Sequence, residues 1–386
     1  MRILLTTQPA YGHVRPMLPL AETLRARGHE IRIASAARFA PVIDGLGYPA
    51  EIAGLDWLEG VHASIPEALR APAGLTLAQF VAHQFVWMTA ERLARDVIEL
   101  ADRWRPDVVI HETTEFGGPL AAEVLGVPIV GLQIASPSLI TTEVTDELER
   151  SLALVRESLG LAPELARVRV EEQPIICFAP PSLHDPAVPL PPGLASFGPP
   201  PAPATVREAV ERPLVYATLG TVFSDPEFEF PFFPVVLEGL GSEELDLVVS
   251  VGPNGDPTAF GEQPDHIRIA TYVPQRELLD RCAAVVCHGG YGTLLDAIDA
   301  GVPLVVVPLG ADQFINARSV ERLGLGRVID DDLTPESVRQ AVWSLLAEAH
   351  WRENVARVRD EWRSLPDPGL AADVVEAAAV PTRTGA

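Results

Sequence analysis

His288, Gly290, Gly292 and Thr293 fall within one short run, His-Gly-Gly-Tyr-Gly-Thr, that directly follows the apolar stretch Ala283 to Cys287. The stretch reads as a buried strand, and the glycines allow a sharp turn into a helix starting near Leu294. A helix entered this way aims free N–H groups and the positive end of its dipole at whatever lies above it, which suits a phosphate. Glycine used only for its backbone angles would give the same pattern. His288 and Thr293 add two side chains able to donate to a phosphate oxygen.

Three more polar clusters each follow an apolar run: Gly220-Thr221, Tyr272-Val273-Pro274-Gln275, and Gly310-Ala311-Asp312-Gln313. If the runs are parallel strands, all four clusters project from one sheet edge, where open α/β sheets bind ligands. Together they offer a flat aromatic ring, phosphate donors, and a carboxylate–amide pair suited to hydroxyl groups.

The elements that must hold these residues follow from the alternation of apolar runs with amphipathic stretches. Strands are expected at 3–5, from 31, at 107–110 and at 127–132, with helices over 16–27 and 116–125 between them. After residue 213 the alternation restarts, with strands at 214–218, 245–251, 267–270, 285–286 and 304–308. The predicted class is α/β: two doubly wound, Rossmann-like domains facing across a cleft. Prolines at 180, 181, 186, 189, 191, 192 and 199–201 break regular structure and suggest a semi-rigid linker. The expected division is 1–180, linker 181–212, 213–365, and a tail 366–386 that packs back on the first domain.

Composition narrows the function. The chain has 386 residues, a net charge of −24 and no Lys, so every fixed side-chain cation is Arg. Such a surface repels nucleic acid and anionic membranes, and without Lys neither a P-loop nor a Schiff base is available. Cys177, Cys282 and Cys287 form no disulfide or metal pattern. The N-terminal apolar run is too short for a signal segment, no run reaches membrane-span length, and a cytoplasmic location is expected.

The residues quoted above resemble the nucleotide-sugar half of the GT-B glycosyltransferases, in the UDP-glycosyltransferase-like family. The bacterial branch that glycosylates antibiotics and other natural products is the closest in look. The similarity runs from the Gly12-His13 turn to Asp312-Gln313, and is most specific over 272–328. It implies that Tyr272 stacks on the nucleotide base in place of the commoner Trp, with Val273 at the base edge and Gln275 near the nucleoside. His288, Gly290, Gly292, Thr293 and Thr221 would hold the diphosphate. Asp312 and Gln313 would bind sugar hydroxyls, with Asn316 a further candidate. His13 occupies the position of the catalytic base, and a neutral imidazole suits proton removal from an acceptor hydroxyl.

Many relatives orient that base with an Asp, whereas this chain carries Glu112 at the matching position, with Glu115 a second candidate in the same loop. Asp107 opens the strand about 15 Å from its far end and is no substitute. His29 is expected to be structural. Trp57, Phe80, Phe85, Trp87, Met88 and the loop 134–140 are candidates for an apolar acceptor wall, Trp57, Phe85 and Trp87 foremost.

The resulting expectation is an inverting enzyme that moves a deoxysugar from dTDP, or a hexose from UDP, onto a hydroxyl of a hydrophobic natural product such as a polyketide. No cofactor is expected, the nucleotide-sugar being a co-substrate. No metal is expected either: no Asp-x-Asp motif sits at a suitable loop, and the carboxylate run Asp330 to Asp332 reads as a solvated turn before a helix. A C-glycosyltransferase, a nucleotide-sugar epimerase on the same fold and a non-catalytic nucleotide-binding protein are the alternatives, and a homodimer is compatible with the sequence.

Overall fold

The structure, a computed structural model, describes residues 1–139, 141–165, 173–201, 212–223 and 230–380. They divide into two compact units. The first holds Met1–Phe178, Pro186–Phe197 and the chain from Pro366 onward; the second holds Ala179–Asp185 and Gly198–Leu365.

The first unit is built on seven strands: β1 (Arg2–Thr6), β2 (Glu30–Ser35), β3 (Ala50–Ile52), β4 (Val108–Glu112), β5 (Ile129–Gln133), β6 (Ile175–Cys177) and β7 (Leu194–Ser196). All pair in parallel, in the order β3-β2-β1-β4-β5-β6-β7. Both faces are covered, so the central strands are uniformly apolar: Ile3, Leu4, Leu5, Val108, Val109 and Ile110 are fully buried. Helices Ala90–Leu100, Gly117–Leu125 and Thr142–Ser158 close one face, where Leu4 and Val109 meet Leu93, Leu120 and Leu148.

The second unit repeats the plan with β8 (Leu214–Thr218), β9 (Asp246–Ser250), β10 (Ile267–Ala270), β11 (Cys282–Cys287), β12 (Leu304–Val306) and β13 (Gly326–Val328). The order is β10-β9-β8-β11-β12-β13, again all parallel. Each sheet therefore reverses its strand order once, between β1 and β4 and between β8 and β11. Loops leave in opposite directions at such a point, which opens a crevice at the carboxyl ends of the two strands. Register puts Thr6 beside His111 in one sheet and Thr218 beside Cys287 in the other.

The α/β, two-Rossmann expectation agrees with this architecture. The Pro-rich segment does not: it is not irregular throughout. Pro181–Leu183 is a 3-10 turn, and Leu194–Ser196 is the edge strand β7 of the first sheet. An edge strand pairs on one side only, which tolerates prolines just before it. Residues 202–211 of that segment, Ile140 of the 134–140 loop and the last residues, 381–386, lie outside the described residues. Within the first unit, helix Ala371–Ala379 packs on helix Leu18–Ala26 and on β4, and Arg27 pairs with Asp373 at 2.5 Å and Glu376 at 3.0 Å. Among the described residues no helix is long and apolar enough to cross a membrane.

Candidate active site

At the reversal point of the first sheet, β1 ends at Thr6 and the chain passes through Gln8 and Ala10 into the short helix Tyr11–Val14, which carries His13. β4 ends at Glu112, so the two side chains arrive from adjacent strands. His13 Nδ1 lies 2.8 Å from Glu112 Oε1. Glu112 is fully buried and fixed by further donors: Thr114 N–H and hydroxyl, each 2.7 Å from Oε2, and Gln8 N–H, 3.3 Å from Oε1. Burial alone would raise its carboxyl. The charge of His13 and the hydrogen bonds from His13 and Thr114 outweigh burial and hold it below the usual carboxylate range.

Glu115 is engaged elsewhere. Its carboxylate accepts from the Thr6 hydroxyl at 2.5 Å and from the N–H groups of Gly117 and Gly118, where helix Gly117–Leu125 begins. Burial pushes its carboxyl up to about 7, and these donors only partly offset that. It anchors a helix start, and Glu112 is the residue in contact with His13. Asp107 accepts from Arg2 N–H at the opposite end of β1, and His29 sits 2.9 Å from Glu376.

A residue the sequence reading did not single out completes the site. Glu59 Oε2 lies 2.7 Å from His13 Nε2, so the imidazole is held between two carboxylates. Burial works to lower the imidazole pKa, but the charges of Glu59 and Glu112 carry it well above its ordinary value. Nothing local to Leu58-Glu59-Gly60 marks this carboxylate; only the fold brings it to His13.

The candidate acceptor residues scatter. Phe85 is buried with its ring 6.0 Å from the His13 ring. Trp87 is 54% exposed and lies against His83. Trp57 does not form an open wall: it is buried in a small core with Ala36 and Met88, because its bulk fills the space under the 55–69 segment. A cavity of about 630 Å³ lies between β5, β6 and helix Thr142–Ser158, lined in part by His111, Phe116, Gln133, Leu148 and Ile175. It is on the His111 side of β4, whereas His13 meets β4 on the Glu112 side, since successive side chains alternate.

In the second unit, β11 ends at Cys287 and helix Tyr291–Ala300 begins after Gly290, which caps it without a side chain. The first N–H groups of that helix are therefore free of a side-chain cap. His288 is buried against Gly220 and Gly290: a Cβ on Gly220 would stand 2.8 Å from the ring, and one on Gly290 2.4 Å. These glycines make room for the imidazole. A Cβ on Gly292 would meet nothing within 4 Å, so that glycine leaves open space above the helix start. Burial drives the His288 pKa down to about 4, with a hydrogen bond to the Thr218 backbone opposing, so the ring is neutral at pH 7. Its Nδ1 is buried with no hydrogen-bond partner among the described residues.

Around this point, Thr293 Oγ1 lies 3.4 Å from Gln275 Oε1, and Gln275 Nε2 donates to Asp296 at 2.8 Å. Tyr272 is 65% exposed, Val273 is buried beside it, and Thr221 is half-buried on the turn after β8. Gln313 is buried, and its Oε1 accepts from Leu309 and Gly310 N–H at 2.7 and 3.1 Å, so its NH₂ group is not used in these contacts. Asp312 sits at the start of helix Gln313–Leu323, and Asn316 donates to Gly289 O at 2.9 Å, tying that helix to the glycine turn. Asp330 to Asp332 are exposed, just before the Thr334 capping box. Among the described residues no group of three or more His, Cys, Asp or Glu could hold a metal ion.

The chain is similar to known proteins over nearly its whole length. Residues 22–187 match the N-terminal domain, and 235–378 the C-terminal domain, of the family described as erythromycin biosynthesis protein CIII-like. An L-demethylnoviosyl transferase from Streptomyces niveus is 32% identical, the alignment covering 97% of each chain. The elloramycin glycosyltransferase of Streptomyces olivaceus is 31% identical over the full length of both. Among solved structures, the glycosyltransferase VinC in complex with dTDP superposes with a TM-score of 0.77 at 26% identity, over 98% of this chain and 99% of that one. The chain belongs to the erythromycin biosynthesis protein CIII-like family, the bacterial natural-product glycosyltransferases of GT-B fold.

Proposed function

We propose that this glycosyltransferase works by inversion and without a metal, moving a sugar from a nucleoside diphosphate onto a hydroxyl of an apolar natural product, with His13 as general base. The contact between His13 Nδ1 and Glu112 carries the reading. A carboxylate on Nδ1 fixes the tautomer and leaves Nε2 to take the hydroxyl proton. The freed oxygen pair then attacks the anomeric carbon as the bond to the β-phosphate breaks. One displacement at one carbon inverts its configuration.

The leaving diphosphate carries the new negative charge. The start of helix Tyr291–Ala300, the neutral His288 and the hydroxyls of Thr221 and Thr293 are the groups suited to meet it. Tyr272, Val273 and Gln275 would hold the nucleoside, and Asp312 with the NH₂ of Gln313 the sugar. VinC was solved with dTDP, which supports a dTDP-linked donor, with UDP-hexose retained as the second choice. Phe85 beside His13 and the exposed Trp87 fit an apolar acceptor. A cytoplasmic location agrees with a nucleotide-sugar donor.

Donor and acceptor panels test this. dTDP- and UDP-sugars are first ranked by thermal shift, then incubated with hydroxylated polyketides in the presence of EDTA. The expected product is a glycoside of inverted anomeric configuration, formed at an undiminished rate in the chelator. His13→Ala should cost about 10²-fold or more in turnover. Retained configuration, full dependence on metal, or a His13→Ala loss within twofold would each overturn the corresponding part.

A further inference from the structure

A general base must present a lone pair, yet in the free protein both nitrogens of His13 face carboxylates. Glu112 cannot move: it is fully buried and accepts from His13, Thr114 and Gln8. Glu59 is held far less firmly. Among the described residues, its Oε1 has one long contact, 3.4 Å from Gln84 Nε2, and its Oε2 has only the contact with His13 Nε2 at 2.7 Å. It lies in the segment between β3 and helix Leu77–Ala82, outside the sheet.

The geometry points to Glu59 as a positioning residue that occupies His13 Nε2 in the free enzyme and gives that position up to the acceptor hydroxyl. This rests on His13 being the base. The groups facing the imidazole are Glu112 and Thr114 from the end of β4, Phe85 from the 83–87 turn, and Glu59. While both carboxylates stay, they favour the doubly protonated ring, which has no lone pair to offer. When the acceptor displaces Glu59, the Nε2 proton passes to water, and the lone pair it leaves receives the hydroxyl proton. The acceptor thus assembles the base it needs, and a site without acceptor keeps its base protonated.

The consequence separates the free enzyme from the complex. The pH dependence of kcat/KM reports the free enzyme, and that of kcat the bound one. Removing the Glu59 charge should therefore move the acid limb of kcat/KM to lower pH by about one unit or more, and leave the kcat limb where it is. A residue that only supports the fold would move neither limb, or both together.

The experiment has two arms. The His13 ring is titrated by NMR in the full chain without ligand, for wild type, Glu59→Gln and Glu59→Asp, its signals assigned from their absence in His13→Gln. Wild type should titrate highest, Glu59→Asp between, and Glu59→Gln lowest. The pH profiles of kcat/KM and kcat are then measured with the donor and polyketide selected by the panels above, for which Glu59→Asp suffices if Glu59→Gln folds poorly. An unchanged His13 titration, or limbs that move together, would overturn the role of Glu59 even if His13→Ala is inactive. If the titration falls as expected but His13→Ala turns over normally, the base assignment fails and the carboxylate clamp on His13 stands.

Discussion

At the residue scale, the two buried glutamates near the end of β4 have opposite parts to play. Glu112 is charge-paired, whereas Glu115 is buried without a cation and its carboxyl sits at about 7. Glu112→Gln keeps the shape but loses the charge that steadies the imidazolium, so kcat should fall about 10²- to 10⁴-fold, measured at saturating donor. Glu115 bears on stability. Between its unfolded value near 4.5 and its folded value near 7, the folded chain holds a proton that the unfolded chain has released, so stability falls as pH rises through that window. The loss amounts to about 3 kcal/mol and is complete above it. Glu115→Gln cannot ionise. The difference in melting temperature between variant and wild type should therefore favour the variant more at pH 8 than at pH 5, and an equal difference at both would sink the argument. Glu112 and the His288 cluster were legible in the sequence because each ends or directly follows an apolar strand, and His13 was legible through the resemblance of the Gly12-His13 turn to the family pattern. Glu59 was not, since its neighbours carry no pattern and its partner is reached only through the fold.

At the element scale, what could be read was the central strands, whose burial on both faces leaves runs such as Leu214 to Thr218 without polar breaks. The shortest strands escaped, most of them at the sheet edges. The edge strands β3, β7 and β13 and the interior strand β6 have three residues each, too few to show a pattern, and β7 hides among prolines that an edge position permits. The glycine turn after β11 was legible as a turn, but not the division of labour within it. Gly290 makes room for His288, whereas Gly292 faces open space. Two substitutions separate these roles. Gly290→Ala drives a methyl into the imidazole, so it should lower both the melting temperature of the second unit and dTDP affinity. Gly292→Ala meets nothing in the free protein and should melt like wild type. If the diphosphate passes over this helix start, the same variant should still bind dTDP about tenfold or more weakly. Calorimetric titration with dTDP reads both, and wild-type affinity in Gly292→Ala would move the diphosphate away from that turn.

At the scale of the whole molecule, 53 acidic side chains against 29 basic ones leave a field that opposes a dianionic ligand. The residues assigned to the diphosphate carry no fixed cation: Thr221, Gly290, Gly292 and Thr293 are uncharged, and His288 is neutral at pH 7. Attraction then comes from N–H groups and a helix end acting over a few ångströms, while repulsion comes from charges spread over the surface. Salt acts unequally on the two. At 0.1 M the Debye length is about 10 Å, so added salt screens the distant charges and leaves contacts inside the site nearly intact. A phosphate site built on Arg or Lys loses affinity as salt rises, but this one should gain it. The association rate of dTDP, followed by stopped-flow quenching of intrinsic Trp fluorescence at pH 7.5, should increase about two- to fivefold between 10 and 150 mM NaCl. The dissociation rate should change little over the same range. A falling association rate would mean that a cation, drawn from the 29 arginines, governs entry of the nucleotide.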